Sequence, residues 1–377
     1  MDLKVSILNN GIYVHDEVFS EFSKNHRLSA NPYTCNTILL KDNIPVFMAK
    51  AHPDVPFHLR VLDGKPTITY NGEFVTEVNF PAYTGFYEQK TSNGVSFGDL
   101  AVIQGLDMLA FAYMWPCEFA KTGHQCGFCH TGSLTVQNLY ENKWMAGWDN
   151  PTLPPEAIYS DLAEVVRYAV KQDPKAGIIQ LTAGSTFNPD KEIDRYVNIL
   201  KTIDKEVGIN NVPVIIYLTP PSDIKLLDRL FDAGVSYVAC DMDIWDESVF
   251  LKMCPGKANF TTRKKHLDVL LYIAEKYGPN KACSVFVAGL ESAESLMEGQ
   301  TFLAEHGIVP LPSPFMPFAA SLQLLKELKP VGVDFYRTIR RETAMLYKKY
   351  GLVVPGTFGS DVCLSRDIWL RRDILAG

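Results

Sequence analysis

Three of the chain's eight cysteines cluster, in the stretch Pro116-Cys117-Glu118-Phe119-Ala120-Lys121-Thr122-Gly123-His124-Gln125-Cys126-Gly127-Phe128-Cys129-His130. Their spacing is Cys-x8-Cys-x2-Cys. Thiolates are soft ligands that suit zinc or iron–sulfur clusters. Three of them leave one iron of a four-iron cluster without a protein ligand, so that the cluster could bind a small molecule directly. The spacing alone leaves other chemistry open. A tetrahedral zinc site could add His124 or His130 to the three thiols. A redox disulfide between Cys126 and Cys129 would leave Cys117 unexplained. Cys240 and Cys283 fall in strand patterns, where a free cysteine is a small hydrophobe. Cys35, Cys254 and Cys363 show no pair spacing, so no second cluster is expected.

Positioning such a loop falls to the elements around it. From about Gly105 onward, short apolar runs alternate with amphipathic stretches. Strands are expected at Met108–Met114, Gly177–Ala183, Val214–Leu218, Val235–Cys240, Cys283–Ala288 and Ile308–Phe315. Helices are expected over Pro155–Gln172, Asp190–Val207, Asp223–Ala233, Thr262–Tyr277, Ser295–His306 and Phe335–Tyr350. Short strands apolar on both faces and each followed by a helix mean parallel strands under a helical layer. The expected fold is therefore α/β, a partial (β/α)6 TIM-type barrel over residues 105–322. Residues 1–104 read as a small, mostly β N-terminal extension, with Met1-Asp2-Leu3-Lys4 opening a strand. Asp63-Gly64 and Asn71-Gly72 turns there connect hairpin strands. Residues 323–377 read as C-terminal helices and a charged tail.

In such a barrel the chemistry sits where strands end. Cys117 follows the first strand, Gly184 and Ser185 the second, Thr219 the third, Asp241 and Asp243 the fourth, and Glu291 the fifth. Asp241 and Asp243 share a side of the chain by the two-residue alternation of a strand. They could serve a ligand or cap a helix, and Asp246 is the better cap. Glu291 faces the same choice, with Ser292 as the rival cap.

Composition narrows the classes. The 377 residues carry 36 Lys and Arg against 43 Asp and Glu, a formal charge of -7, which argues against a nucleic-acid footprint. An apolar fraction of 47% with 21% charged residues is that of an ordinary globular protein with a full core. No uncharged apolar run is long enough to span a membrane. The beginning of the chain lacks the layout of a signal peptide, and the thiols suit a reducing compartment, so a cytoplasmic location is expected.

With these residues in view, the chain resembles the radical SAM superfamily, in its biotin synthase-like branch, over roughly Tyr83 to Leu322. Phe128 stands at the aromatic position before the last cysteine, while the first gap of eight residues departs from the usual three. Leu181-Thr182-Ala183-Gly184-Ser185-Thr186 occupies the place of the family's Gly-Gly-Glu stretch, without the glutamate. Pro255-Gly256-Lys257, Ala288-Gly289-Leu290-Glu291, Pro314-Phe315-Met316-Pro317 and Phe86-Tyr87-x3-Thr91-x2-Gly94 complete the likeness. This set is most similar to radical SAM proteins of nitrilase-containing bacterial gene clusters and of iron–guanylylpyridinol cofactor assembly.

The resemblance implies an oxygen-sensitive enzyme with a [4Fe–4S] cluster on Cys117, Cys126 and Cys129. S-adenosylmethionine would lie against Phe128, Gly184, Ser185, Thr186, Asp241, Asp243 and Glu291. It further implies a 5′-deoxyadenosyl radical that takes hydrogen from a small organic substrate, in cofactor or nitrogen-compound metabolism. An electron donor such as a flavodoxin or ferredoxin is the implied partner. Two other readings compete: a zinc-dependent barrel hydrolase or lyase on the same cysteines, and a non-catalytic iron–sulfur sensor or scaffold. The sequence leaves the oligomeric state open.

Overall fold

The computed structural model describes residues 1–28, 36–48, 53–111, 116–129, 155–173, 175–316, 331–356 and 358–370. The N-terminal region opens with helix α1 (Asp2–Asn10), then β1 (Tyr13–Val14) and helix α2 (Asp16–Phe22). After these come β2 (Thr37–Leu40), β3 (Ile44–Phe47), β4 (Phe57–Leu62), β5 (Lys65–Tyr70) and β6 (Glu73–Glu77). The expectation of a strand at Met1 is overturned. Val5, Ile7 and Leu8 are fully buried, the i, i+2, i+3 clustering of one helical face, and Asp2 sits in the first turn where the helix dipole favours it. The hairpins form where expected. Asp63-Gly64 and Asn71-Gly72 all adopt positive φ, as two-residue turns of the Asn-Gly kind require. Strands β1, β4, β5 and β6 make one sheet and β2–β3 a separate antiparallel pair, enclosing a core of Ile12, Ile38, Leu59, Ile68 and neighbours.

Beyond lies the main α/β layer. Helix α3 (Phe97–Leu100) leads to β7 (Val102–Gln104) and β8 (Met108–Phe111). Helices α4 (Glu118–Lys121) and α5 (Pro155–Lys171) precede β9 (Ile178–Leu181), and α6 (Pro189–Val207) precedes β10 (Val214–Tyr217). Next come α7 (Asp228–Asp232), β11 (Tyr237–Ala239), α8 (Glu247–Met253), α9 (Arg263–Tyr277) and β12 (Ala282–Ala288). Helix α10 (Ala293–Glu305), β13 (Val309–Pro314), α11 (Val333–Tyr350) and α12 (Ser365–Trp369) close the chain. Strands β8 to β13 are parallel neighbours in chain order, and β7 joins β8 antiparallel at the edge. The result is a mixed α/β fold with a curled, half-barrel sheet of seven strands. Every residue of β8 and β13 is buried, which fits a sheet covered on both faces. Among the described residues no helix is long and apolar enough to cross a membrane.

Strand and helix positions agree with the sequence reading to within a few residues, with two differences. The segment expected as a helix at Asp223–Ala233 is a 3₁₀ turn, Ile224–Leu227, followed by the short α7. The edge strand β7 lies on the N-terminal side of residue 104 yet pairs with β8 on the other side. The boundary expected at 322/323 falls outside the described residues, as do Arg371 and Arg372 of the tail.

The last described segment, 358–370, is packed against the rest of the protein. Val354, Phe358, Cys363, Leu364 and Ile368 enter the main core, and the Phe358 ring stacks on Tyr217 with centroids 6.0 Å apart. Asp361 accepts hydrogen bonds from Thr37 Oγ1 at 2.9 Å and from the Gly105 amide at 3.1 Å, linking three parts of the chain. Lys4, on α1, donates to Asp367 at 2.7 Å and to the Ser360 carbonyl at 2.6 Å, and both side chains of this ion pair are fully buried. Removing one member of such a pair strands the other charge in a low dielectric, at a cost of about 3–5 kcal/mol. Lys4→Met should lower stability by that amount in urea denaturation, and adding Asp367→Leu should recover a substantial part of it.

Candidate active site

All the strand ends that carry chemistry-bearing residues lie on one edge of the sheet, because β8 to β13 run parallel. Cys117 caps the N-terminus of α4 in extended conformation. Its placement is set by Gly184, just past β9. A Cβ on Gly184 would sit 2.1 Å from the Cys117 nitrogen and 2.2 Å from its Cα, so backbone meets backbone there. Beside this contact, the Glu118 amide donates to the Ser185 carbonyl at 2.8 Å. The Thr186 hydroxyl donates to Glu118 Oε2 at 2.8 Å, and the Phe187 amide donates to the same oxygen. The first cysteine is thus fastened to the end of the second parallel strand.

The other two cysteines sit against the end of α8. The Gly127 amide donates to the Met253 carbonyl at 2.8 Å, and the Cys129 amide donates to the Cys126 carbonyl at 3.0 Å, closing a turn. Cys126 and Phe128 pack on Ile244, Phe250, Met253 and Cys254. Cys117, Cys126 and Cys129 are partly exposed, whereas the other described cysteines are buried and none is in a disulfide. Burial raises the Cys117 thiol pKa, backbone donors of α4 lower it, and the charge of Cys126 raises it again, so these two thiols feel each other. Cys126 is pushed up by its hydrogen bond with Cys254 and by burial.

A buried charge cluster lies beside this loop. Lys257 donates to the Asp241 carbonyl oxygen at 2.9 Å and is ion-paired with the Asp243 carboxylate. Asp243 has φ of 59°, a left-handed conformation unusual for a residue with a side chain, and its backbone bridges to β12. Asp241 Oδ1 accepts from the Val285 amide at 2.9 Å. Burial, reinforced by the charge of Asp243, raises the Asp241 pKa to about 7 against the pull of Lys257. Burial also raises Asp243, with Lys257 opposing. Desolvation works against the Lys257 charge, but the two carboxylates outweigh it and the ammonium stays protonated. Asp241 and Asp243 both lie beyond the end of β11 at Ala239, and the left-handed Asp243 departs from strand alternation; the lysine beside them comes from the Pro255-Gly256-Lys257 segment.

Glu291 is engaged with backbone. It accepts from the amides of Trp245 at 2.9 Å and Asp246 at 2.7 Å, and from Ser295 Oγ at 2.7 Å. Asp246 caps α8 and Ser292 caps α10, the two caps expected. The hydroxyl of Thr219, after β10, receives the Thr186 amide at 3.3 Å. His124 hydrogen-bonds Thr122 Oγ1 at 3.1 Å, and His130 lies outside the described residues.

Two features escaped the sequence reading. One is Glu118: its carboxylate reaches Thr186 and Phe187, just past the second parallel strand. Its neighbour Cys117 was the signal available. The other is an aromatic shelf of Phe119, Phe187 and Phe260, with ring centroids 5.0–5.1 Å apart and the His124 ring 5.1 Å from Phe260. Its rings come from three separate segments, so no local pattern announces it.

The donor chemistry fits an iron–sulfur cluster: three partly exposed thiols on one loop, of which Cys126 packs on apolar side chains. Among the described residues no three His, Cys, Asp or Glu side chains gather around one ion-sized point. A four-iron cluster is larger than an ion and takes its thiolates from further apart.

No family model matches the chain. Over 268 residues it is 21% identical to the bacteriochlorophyllide c C-7(1)-hydroxylase of Chlorobaculum limnaeum, an alignment covering 69% of this chain and 65% of that protein. The chain therefore spans less than two thirds of this curated relative. Among solved structures it is similar to the coproporphyrinogen III oxidase of Escherichia coli, described as a radical SAM enzyme, at 14% identity and a TM-score of 0.41, covering 65% of this chain and 53% of the other. It is also similar to the FeFe-hydrogenase maturase HydG of Carboxydothermus hydrogenoformans, at 14% identity and a TM-score of 0.43, covering 65% and 52%. Likenesses of this depth follow the broad course of the chain and carry nothing about activity.

The Gly184 contact generates a direct test. Gly184→Ala places a methyl inside backbone atoms that cannot rotate away, so the cysteine loop must shift, at about 1–3 kcal/mol or more. Denaturation should show that loss, and iron bound after anaerobic reconstitution should fall severalfold. Gly332→Ala, where a methyl meets nothing within 4 Å, should change iron content little.

Proposed function

We propose that this chain is a radical SAM enzyme, with a [4Fe–4S] cluster on Cys117, Cys126 and Cys129 and S-adenosylmethionine as its second cofactor. One observation carries the reading: a three-thiol loop follows the first strand of a sequentially wound parallel sheet and is fastened to the end of the second at Gly184. When bound, the cluster supplies the single electron that cleaves S-adenosylmethionine to a 5′-deoxyadenosyl radical. The sheet acts as a partial (β/α)6 barrel whose strand ends hold the reactants.

The chain's own residues bind, orient and shield. Gly184, Ser185 and Thr186 fix the height of Cys117 over the sheet. Glu118, with Oε2 taken by Thr186 and Phe187, offers Oε1 to the methionyl ammonium in place of the family's glutamate. Phe128 on its apolar bed keeps water from one side of the loop. Asp241 and Asp243 stand beyond the end of β11 for the ribose or the substrate, and Lys257 balances the Asp243 charge. Glu291 acts more remotely, by holding the Trp245-Asp246 backbone in place below these groups.

The substrate is a small organic molecule. The relative named as a bacteriochlorophyllide c C-7(1)-hydroxylase suggests hydroxylation as one candidate reaction and a bacteriochlorophyllide as one candidate substrate. The electron donor is a small redox protein of the flavodoxin or ferredoxin kind, and the working compartment is the reducing cytoplasm.

Anaerobic reconstitution should give a brown protein with about four irons per chain. Dithionite reduction with S-adenosylmethionine should release 5′-deoxyadenosine, and the cofactor should perturb the paramagnetic resonance of the reduced cluster. Cys117→Ala, Cys126→Ala and Cys129→Ala should each lose most of the iron and all of the cleavage. A colourless protein with one tight zinc would overturn the proposal, and a stable cluster indifferent to S-adenosylmethionine would replace it with a sensor or scaffold.

A further inference from the structure

Three rings crowd the seam where β1 meets β4. Tyr13 lies on β1, His15 directly follows that strand and His58 lies on β4, with ring centroids 5.0–5.4 Å apart. The strands pair at only two positions, Tyr13 with His58 and Val14 with Leu59, and the His15 amide donates to the Leu59 carbonyl at 3.0 Å. So short a parallel ladder holds little by itself. Side chains complete the seam. His58 Nε2 lies 3.0 Å from the Pro53 carbonyl oxygen and 3.1 Å from that of Val55; carbonyls only accept, so this nitrogen carries the hydrogen. In the neutral ring His58 Nδ1 is then an acceptor, and His15 Nε2, 3.0 Å away, is the donor. One chain of hydrogen bonds thus runs from His15 through His58 to the turn at residues 53–55, and it fixes the tautomer of both rings.

Protons act on this chain of bonds in a countable way. One added proton can be shared, because a charged His58 donates to a His15 that turns a bare Nε2 toward it. Two added protons leave N–H groups and like charges facing each other, and the bond is lost. We propose that the His15–His58 pair is a proton-sensitive clasp, which holds β1 and α2 on β4 near neutral pH and releases them on acidification. The surroundings oppose a charge on His15. It is the N-cap residue of α2, where the positive end of the helix dipole disfavours a cation. Burial lowers its pKa, the Arg60 guanidinium of β4 and His58 lower it further, and Glu17 and Asp16 of α2 pull the other way. Glu17 already accepts from the Val61 amide at 3.2 Å, and Asp54 stands in the turn that accepts from His58. A histidine whose folded-state pKa is depressed contributes its full stability above the ordinary value of about 6.5, and loses it as the pH falls below that value. Release draws Val14 and Val18 out of the N-terminal core, whereas the seven-stranded sheet keeps a separate one.

The test follows backbone amide exchange of the whole chain at about pH 7.5 and about pH 5, corrected for the intrinsic effect of pH and referenced to amides of β9, β10 and β11. Amides of β1 and the start of α2 should lose protection severalfold on acidification, relative to that reference. His15→Gln keeps an N–H donor for His58 Nδ1 but takes up no proton. Its seam should match wild type near neutral pH and stay closed in acid. His15→Ala removes the clasp, and its seam should be open at both pH values. A wild-type seam that follows the reference amides across this range would overturn the proposal. A His15→Gln seam that opens in acid as wild type does would sink it too, by assigning the effect to the neighbouring carboxylates. If neither variant folds, the wild-type rings decide: nitrogen chemical shifts should show both histidines as Nε2–H tautomers near neutral pH, and an Nδ1–H tautomer at His58 would end the proposal.

Discussion

The backbone contact between Gly184 and Cys117 is the constraint on which the site depends. Where another segment's backbone comes this close, the residue facing it must carry no side chain, and only glycine meets that condition. The contact converts the ordering of parallel strands into a position for the first thiol. Hydrogen bonds from Glu118 and Thr186 then stop the short α4 from rotating about it. A loop with so long a gap between its first two cysteines would otherwise have many conformations to choose from, and closing it costs entropy that these contacts offset. Its far end is held by a different element, the C-terminus of α8, so the loop bridges two places on the same sheet edge.

Charge balance is the second organising principle. Burying two carboxylates beside thiols is unfavourable unless a cation is buried with them. Lys257 is that cation, and it reaches Asp241 through a backbone oxygen and Asp243 through its carboxylate. The left-handed conformation of Asp243 brings its carboxylate to the lysine and its amide to β12 at once. Strain of this kind persists only where surrounding contacts over-determine the geometry, and it is commonest near functional sites.

The periphery is tied to the same frame. Helix α1 is clamped to the last described segment by the buried Lys4–Asp367 pair, and Asp361 gathers Thr37 and Gly105 beside the edge strand β7. Arg337 and Arg340 of α11 add ion pairs to Asp2. The last described segment meets both edge strands, bonding Gly105 beside β7 and Pro312 of β13.

Local sequence determined the elements and the three-thiol loop. Apolar runs such as Val214–Tyr217 and amphipathic stretches such as Pro189–Val207 declare strand and helix because hydrophobic periodicity is a property of neighbours along the chain. The Asn-Gly and Asp-Gly turns, the Asp246 and Ser292 caps and the Cys-x8-Cys-x2-Cys spacing are legible for the same reason. Tertiary structure alone decided the rest: that α1 is a helix docked on the last described segment, that Glu118 serves the end of β9, that Lys257 is buried beside Asp241 and paired with Asp243, and that Cys126 packs on the group containing Cys254. Each of these joins residues far apart in the chain or on different elements, and no periodicity encodes a distance across a sheet. Glu291 makes the same point in reverse: its carboxylate sits at the strand end the sequence chose, but only packing could show that three donors already hold it.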